Sequence, residues 1–204
     1  MNAIIVISSA DVPEIGTLFQ GGFYTGRILA GDQVYGIITA PKALGELSPM
    51  AWGEYGKDIP GANSFFDGYA NTAAMAESGS PLAQEALKLS IDGFANWYIP
   101  SRDEMELQYR AFKPTTEGNW VFRNGDNPSS IPAGYPYTKS FPAQTSLNIF
   151  RAGGPEAFEA EWYWSSTQYS PDGAWRQYFV AGHQDLCNKT SRLRARAVRR
   201  FIIQ

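Results

Sequence analysis

Cysteine and histidine are almost absent from this chain. Cys187 and His183 are the single examples of each in 204 residues, which excludes an internal disulfide, a structural zinc site and an iron–sulfur cluster. A lone cysteine fits assembly in a reducing cytoplasm. Charge is sparse as well. Seventeen Lys and Arg against 20 Asp and Glu leave a net charge of −3, the wrong sign for a general nucleic-acid binder. Long apolar runs are missing. The opening Met1-Asn2-Ala3-Ile4-Ile5-Val6-Ile7-Ser8 lacks a basic flank, and its apolar stretch is too short for a signal peptide or a membrane span. Without an export signal, the Asn188-Lys189-Thr190 sequon reads as chance.

Aromatics, glycine and proline are plentiful: 14% aromatic residues, 20 Gly and 13 Pro. That mixture favours short strands and structured loops over a helical bundle. With no internal repeat or low-complexity linker, a single α+β domain is the simplest account. Two β-prone runs, 22–29 and 33–39, flank Ala30-Gly31-Asp32 and predict a hairpin. Pro41 ends the second run, and 45–66 reads as loop. Ala-rich stretches near 67–77 and 81–90 predict helices, the second with Leu82, Ala86 and Leu89 on one stripe. Ser101 and Glu104 form a capping box, opening a helix whose Met105, Tyr109 and Phe112 point inward and which Pro114 ends. Residues 114–141 form a long loop, of the kind that is functional or sits at a contact surface. Short helices are expected near 143–151 and 155–161.

The last forty residues are the most distinctive. Trp162-Tyr163-Trp164-Ser165-Ser166-Thr167 and Ala174-Trp175-Arg176-Gln177-Tyr178-Phe179 are β-like, and three or four strands are expected in this tail. Between His183 and Leu193 no hydrophobic period is visible. A rigid aromatic framework around an unpatterned polar loop is how a binding surface is built. Trp164 and Trp175 are expected in the core, whereas Tyr169 and Tyr178, beside turns, are expected as exposed contacts. The candidate ligand-binding residues are therefore Tyr169, Arg176, Tyr178, His183, Asp185, Leu186, Cys187, Asn188, Ser191 and Leu193.

Catalysis finds little support. His183 has no second histidine and no nucleophile elbow, and Cys187 has no partner cysteine. Asp103, Glu104 and Glu106 fall in the first turns of a helix, where capping and the helix dipole favour acids. No Asp-x-Asn-x-Asp-Gly loop signals calcium, so no metal or cofactor is expected. Arg192, Arg194 and Arg196 alternate and could grip anions; structural pairing with carboxylates is the expectation for Arg194, Arg196, Arg199 and Arg200.

Four motifs in order carry a resemblance to a known family: Trp97-Tyr98-Ile99-Pro100-Ser101 through Leu107, Tyr163-Trp164-Ser165-Ser166-Thr167, Ala174-Trp175, and Arg196-Ala197-Val198-Arg199. Together they resemble the landmarks of Lcl C-terminal (DUF1566-type) domains, a family with the C-type lectin-like fold. The resemblance spans roughly residues 20–200 and implies a lectin-like α+β domain of short antiparallel strands, two to four helices and long structured loops. Residues 21–204 would form it, with 1–20 as an N-terminal attachment segment. The Gly21-Gly22-Phe23-Tyr24-Thr25-Gly26 stretch is similar to versions in bacteriophage tail proteins. The implied function is a non-enzymatic tail-tip or tail-fibre receptor-binding protein. It would be made in the host cytoplasm and act on the virion, binding a bacterial surface protein or glycan and displayed as a homo-oligomer, a trimer being favoured, beside other tail proteins. Alternatives are a structural tail or pilus component whose C-terminal loop meets another subunit, and an enzyme acting on surface glycans. Formylglycine-generating enzymes share the fold but need paired cysteines, which this chain lacks.

Some relatives of this fold are diversified by adenine-directed mutagenesis. Changing the adenines of an AAC or AAT codon never yields Lys, Glu, Gln, Met or Trp. Arg176, Tyr178, Val180, His183, Asp185, Leu186, Cys187, Asn188, Thr190, Ser191, Arg192 and Leu193 all lie outside that forbidden set. The interleaved Trp175, Gln177, Gln184 and Lys189 lie within it, as fixed scaffold positions would.

Overall fold

Short strands open the chain. The computed structural model describes residues 5–204, beginning with two-residue strands β1 (Val6–Ile7) and β2 (Leu18–Phe19). The expected hairpin follows as β3 (Gly22–Ala30) and β4 (Gln33–Thr39), with Ala30 facing Gln33 across Gly31-Asp32. Gly31 takes a positive φ of 63°, which such a tight turn requires. Strand β11 (Val198–Ile203) pairs with β4 antiparallel and with β1 in parallel, giving the order β1-β11-β4-β3-β2. The short β6 (Ser130–Ile131) adds to β3.

A second sheet carries the aromatic tail. Its order is β5-β10-β7-β8-β9, from β5 (Glu46–Ala51), β7 (Trp162–Gln168), β8 (Gly173–Tyr178), β9 (Gln184–Asn188) and β10 (Arg192–Arg196). The tail thus holds five strands, more than expected. The segment from His183 to Leu193 is not irregular: it contains β9, a turn and the start of β10. Its lack of alternation follows from the edge position of β9, where residues on both faces stay partly exposed and pairing to β8 supplies the order. The expected loop at 45–66 likewise hides β5, an edge strand containing Pro49, which proline tolerates only at an edge or bulge.

Helix α1 (Lys42–Gly45) is a single turn, and α2 (Gly68–Glu77) and α3 (Pro81–Leu87) match the Ala-rich stretches. Their buried Met75, Leu82 and Ala86 pack with Leu47, Trp52, Trp164 and Ala195 under the tail sheet, and Leu89 joins them from just beyond α3. Helix α4 (Arg102–Phe112) opens with the capping box: the Ser101 hydroxyl accepts from the Glu104 backbone and the Glu104 carboxylate accepts from the Ser101 backbone. Met105, Tyr109 and Phe112 enter a core with Phe150, Phe158, Tyr163 and Phe179, each large side chain contributing about 1.5–3 kcal/mol by leaving water. The helices expected at 143–151 and 155–161 are replaced by one 3₁₀ turn, Asn148–Phe150; Gly153-Gly154-Pro155 interrupts any longer helix. Among the described residues no helix is long and apolar enough to cross a membrane.

Gly22 sits where β3 crosses the end of β4. A Cβ built on it would run into the Thr39 carbonyl oxygen and the Ile38 side chain. Gly22→Ala should therefore destabilise the protein by about 1–3 kcal/mol through overpacking, read as a lower urea midpoint; an unchanged midpoint would mean that the two strands separate freely here.

Candidate ligand-binding face

The acidic first turns of α4 do more than cap a helix. Asp103, Glu104 and Glu106 are all buried, and each holds a different segment. Glu104 accepts from the Ser101 and Gly68 amides and from the Tyr98 hydroxyl. Asp103 accepts from Ser129 and pairs with Arg102 at 2.8 Å. Glu106 accepts from Asn127 and Tyr137 and pairs with Arg110 at 2.9 Å. The long stretch after α4, with little regular structure of its own, is thereby fastened to the helix. Burial pushes all three carboxyls up from their ordinary values, against the partners that pull them down.

Buried Lys113 and Asn119 secure the part of that stretch nearest the tail. The Lys113 ammonium donates to the Glu117 and Pro142 carbonyls and to Asn119 Oδ1, which also accepts from Tyr109. Next door, the Trp120 amide donates to the Ala181 carbonyl at 2.8 Å, and Gln184 binds Asn124 and Gly125. The outcome is an exposed run of Trp120, Val121 and Phe122 beside the β8–β9 turn.

Four of the expected contact residues meet this run. The Trp120 and His183 rings stack at 5.0 Å, His183 lies 5.4 Å from Trp162, and Trp162 stacks on Tyr178 at 5.0 Å. The Arg176 guanidinium sits 3.9 Å over Trp162 and pairs with Asp185 at 3.3 Å. Arg176, Tyr178, His183 and Asp185 thus belong to one platform of stacked rings edged by an ion pair. Trp120, from the long loop, and Trp162 are the members absent from the expected contact residues, and Phe122 lies exposed next to Trp120 in the chain. The signal was present as two aromatics inside the long loop already marked as a contact surface.

The other six fall elsewhere. Tyr169, Leu186, Cys187 and Asn188 border a shallow depression with Tyr55, at the opposite end of the β8–β9 pair. Cys187 and Leu193 also pack against the core beneath the sheet, and the Cys187 thiol lies 3.2 Å from Ser191 Oγ. Tyr169 is 63% exposed, whereas Tyr178 is half-buried against Trp162. Trp164 is fully buried as expected, but Trp175 lies half-buried at the rim, where Phe65 and Arg102 cover it.

Three of the four C-terminal arginines pair with carboxylates: Arg194 with Glu46 and Glu161, Arg196 with Glu156, and Arg200 with Asp67. Arg199 departs from expectation. It donates to Gln20 and lies 4.5 Å over the Phe94 ring, and among the described residues no carboxylate pairs with it. Among the described residues no group of three or more His, Cys, Asp or Glu side chains is placed to hold a metal ion. No protein-family model matches the chain, and no curated protein is similar to it in sequence.

The buried carboxyls set a pH dependence. Because their folded values are raised, the folded protein binds more protons than the unfolded chain from the ordinary glutamate value of 4.5 upward. Their stabilising contribution is full below that value and is lost as pH rises through the raised values. The urea midpoint should therefore climb as pH is lowered from neutrality toward about 5. Glu106→Gln, less stable throughout because its amide faces Asn127, should show a flatter slope. A wild-type midpoint that falls steadily over this range would contradict the assignment.

Proposed function

We propose that this chain is a receptor-binding protein of a bacteriophage tail tip or fibre, a lectin-like domain that docks a bacterial surface ligand through its tail sheet. The observation that carries the reading is the platform of Trp120, Trp162, Tyr178 and His183 with the Arg176–Asp185 pair. Large, rigid, amphipathic rings beside adaptable polar groups form the composition that recognition surfaces favour. Docking is non-covalent. The rings are held by one another and by the loop beneath them, so little ordering entropy is lost on contact.

Burial along the tail supports the idea that its surface positions are free to vary. Of the four positions that adenine-directed changes cannot produce, Gln177, Gln184 and Lys189 are buried, and Trp175 is half-buried beneath Phe65 and Arg102. Arg176, Tyr178, Val180, His183, Asp185, Leu186, Cys187, Asn188, Thr190, Ser191, Arg192 and Leu193 all keep some exposure. A scaffold that fixes the first set and releases the second suits a face that must track a changing receptor. Single contacts of this kind are weak, and trimeric display on a tail would multiply them. The first twenty residues are the proposed attachment; within them β1 and β2 lie at opposite edges of the first sheet.

Labelled protein, displayed multivalently, should bind saturably to some bacterial strains and not to others. Trp120→Ala combined with Tyr178→Ala should weaken that binding about 30-fold or more, the loss of a 2 kcal/mol hot spot, with the circular dichroism spectrum unchanged. Absence of binding to every strain, together with crosslinking of the same face to another particle protein, would instead make the platform a subunit contact.

A further inference from the structure

The β8–β9 pair has a second end. At ~3.3 Å per residue, Gly173 lies about 16 Å along β8 from Tyr178. There Gly173 faces Asn188, and a depression of about 370 Å³ opens between Tyr55, Tyr169, Ser170, Asp172, Leu186 and Asn188. Tyr55 and Tyr169 are 61% and 63% exposed, an expensive way to leave two aromatic side chains unless something covers them. Among the described residues neither tyrosine hydroxyl, the Asp172 carboxylate nor the Asn188 amide nitrogen has a hydrogen-bond partner.

The walls come from three separate loops, and one buried side chain ties them together. The Lys189 ammonium donates to the Lys57 carbonyl at 2.7 Å and to Gln168 Oε1 at 2.6 Å. Its backbone amide donates to the Asp172 carbonyl, and its own carbonyl accepts from the Trp52 and Gly53 amides. The loop bearing Tyr55, the turn bearing Tyr169 and Asp172, and the turn after Asn188 are thus fixed to one residue. Ser170 Oγ further locks its turn by accepting from the Asp172 and Gly173 amides. The Tyr169 ring is held edge-on to Trp175 at 6.1 Å. The polar groups turned outward are preorganised rather than floppy.

Their chemistry is selective. An exposed tyrosine ring offers a flat apolar face, and the C–H face of a sugar ring matches it. Around it stand an acceptor (Asp172), a donor (Asn188) and two hydroxyls that can do either, the set that vicinal sugar hydroxyls require. The sole charge in the lining is the Asp172 carboxylate. The Lys189 ammonium lies beneath the surface with its hydrogen bonds committed inward. A negatively charged ligand would meet the Asp172 carboxylate at the surface, with the ammonium out of hydrogen-bonding reach, so a neutral ring is favoured.

We propose that this depression is a binding site for a neutral saccharide ring, stacked on Tyr55 or Tyr169 and held through its hydroxyls by Asp172 and Asn188. It rests on the reading above only in taking the tail sheet as the ligand-facing side. It adds the ligand class and a site separate from the aromatic platform.

The test titrates the full chain with methyl β-D-galactoside, methyl α-D-mannoside and N-acetylglucosamine, with glucuronate and glucose 6-phosphate as acidic probes. Amide chemical shifts and saturation transfer are the readouts. At least one neutral probe should shift the Gly173 and Asn188 amides, with millimolar affinity expected of a single ring. Tyr55→Ala or Tyr169→Ala, whichever removes the ring that bears the sugar, should weaken it about tenfold, the double variant at least as much, and the acidic probes should bind about tenfold more weakly than the neutral one. Asp172→Asn should narrow that gap. The proposal is overturned if no neutral probe binds, if binding survives loss of both tyrosines, or if acidic probes bind equally well. Cell binding that persists in the Tyr55→Ala, Tyr169→Ala protein while no sugar binds removes this site and leaves the receptor reading intact. Sugar binding without adherence to any cell does the reverse.

Discussion

Buried charge closes the loop-built half of this protein. A chain that makes long excursions without helices or strands must find partners for many backbone carbonyls and amides. Here buried Glu104, Lys113 and Lys189 act as those partners, while Asp103 and Glu106 bind the side chains of Ser129, Asn127 and Tyr137. Neither ammonium is spent on a carboxylate; their hydrogen bonds go to carbonyl and side-chain amide oxygens. Burial lowers the pKa of both lysines and raises that of the three acids. Each charge is therefore held under electrostatic cost, and the hydrogen bonds it gathers are what offset that cost. Remove such a group and several strands of backbone lose their common anchor at once.

The two surface features share this construction. Lys113 and Asn119 lie under the loop that presents Trp120, and Lys189 lies under the loops that present Tyr55, Tyr169 and Asn188. In both cases exposed aromatic rings stand on a polar, hydrogen-bonded base. The separation of labour resembles that of antibody loops, in which rigid rings supply contact area and short polar side chains supply adaptable bonds.

What could be read from the sequence followed the reach of the interactions. The β3–β4 hairpin was legible because Gly31-Asp32 encodes its turn locally, and α4 because Ser101 and Glu104 are three residues apart. Edge strands β5 and β9 were not. Half-exposed strands have no clean alternation, and the order of β5 is imposed by β10, far away in the chain. The expectation of helices at 143–161 failed for the complementary reason: apolar spacing was present, but Gly153-Gly154 and Pro155 made a helix too costly. The candidate site was half legible. Arg176, Tyr178, His183 and Asp185 do converge, whereas Tyr55 and Trp120 are positioned by the Lys189 bond to the Lys57 carbonyl and the Trp120 bond to the Ala181 carbonyl, contacts that span scores of residues. Glu106 was read as a helix-end acid, and nothing near it in sequence reveals that Asn127 and Tyr137 close over it.

Strand order has a consequence for how the molecule is made. The last two strands are not edges. β10 lies between β5 and β7, and β11 between β1 and β4, so each sheet is divided until the final segment arrives. While the ribosome is still holding residues beyond Asn188, β4 and β5 wait with open backbone edges, and Trp164 lacks the neighbouring Ala195. Contacts this distant in sequence form slowly, and unpaired strands invite wrong partners. Folding is thus concentrated into the moment when β10 and β11 have emerged and one short stretch of chain inserts into both sheets together.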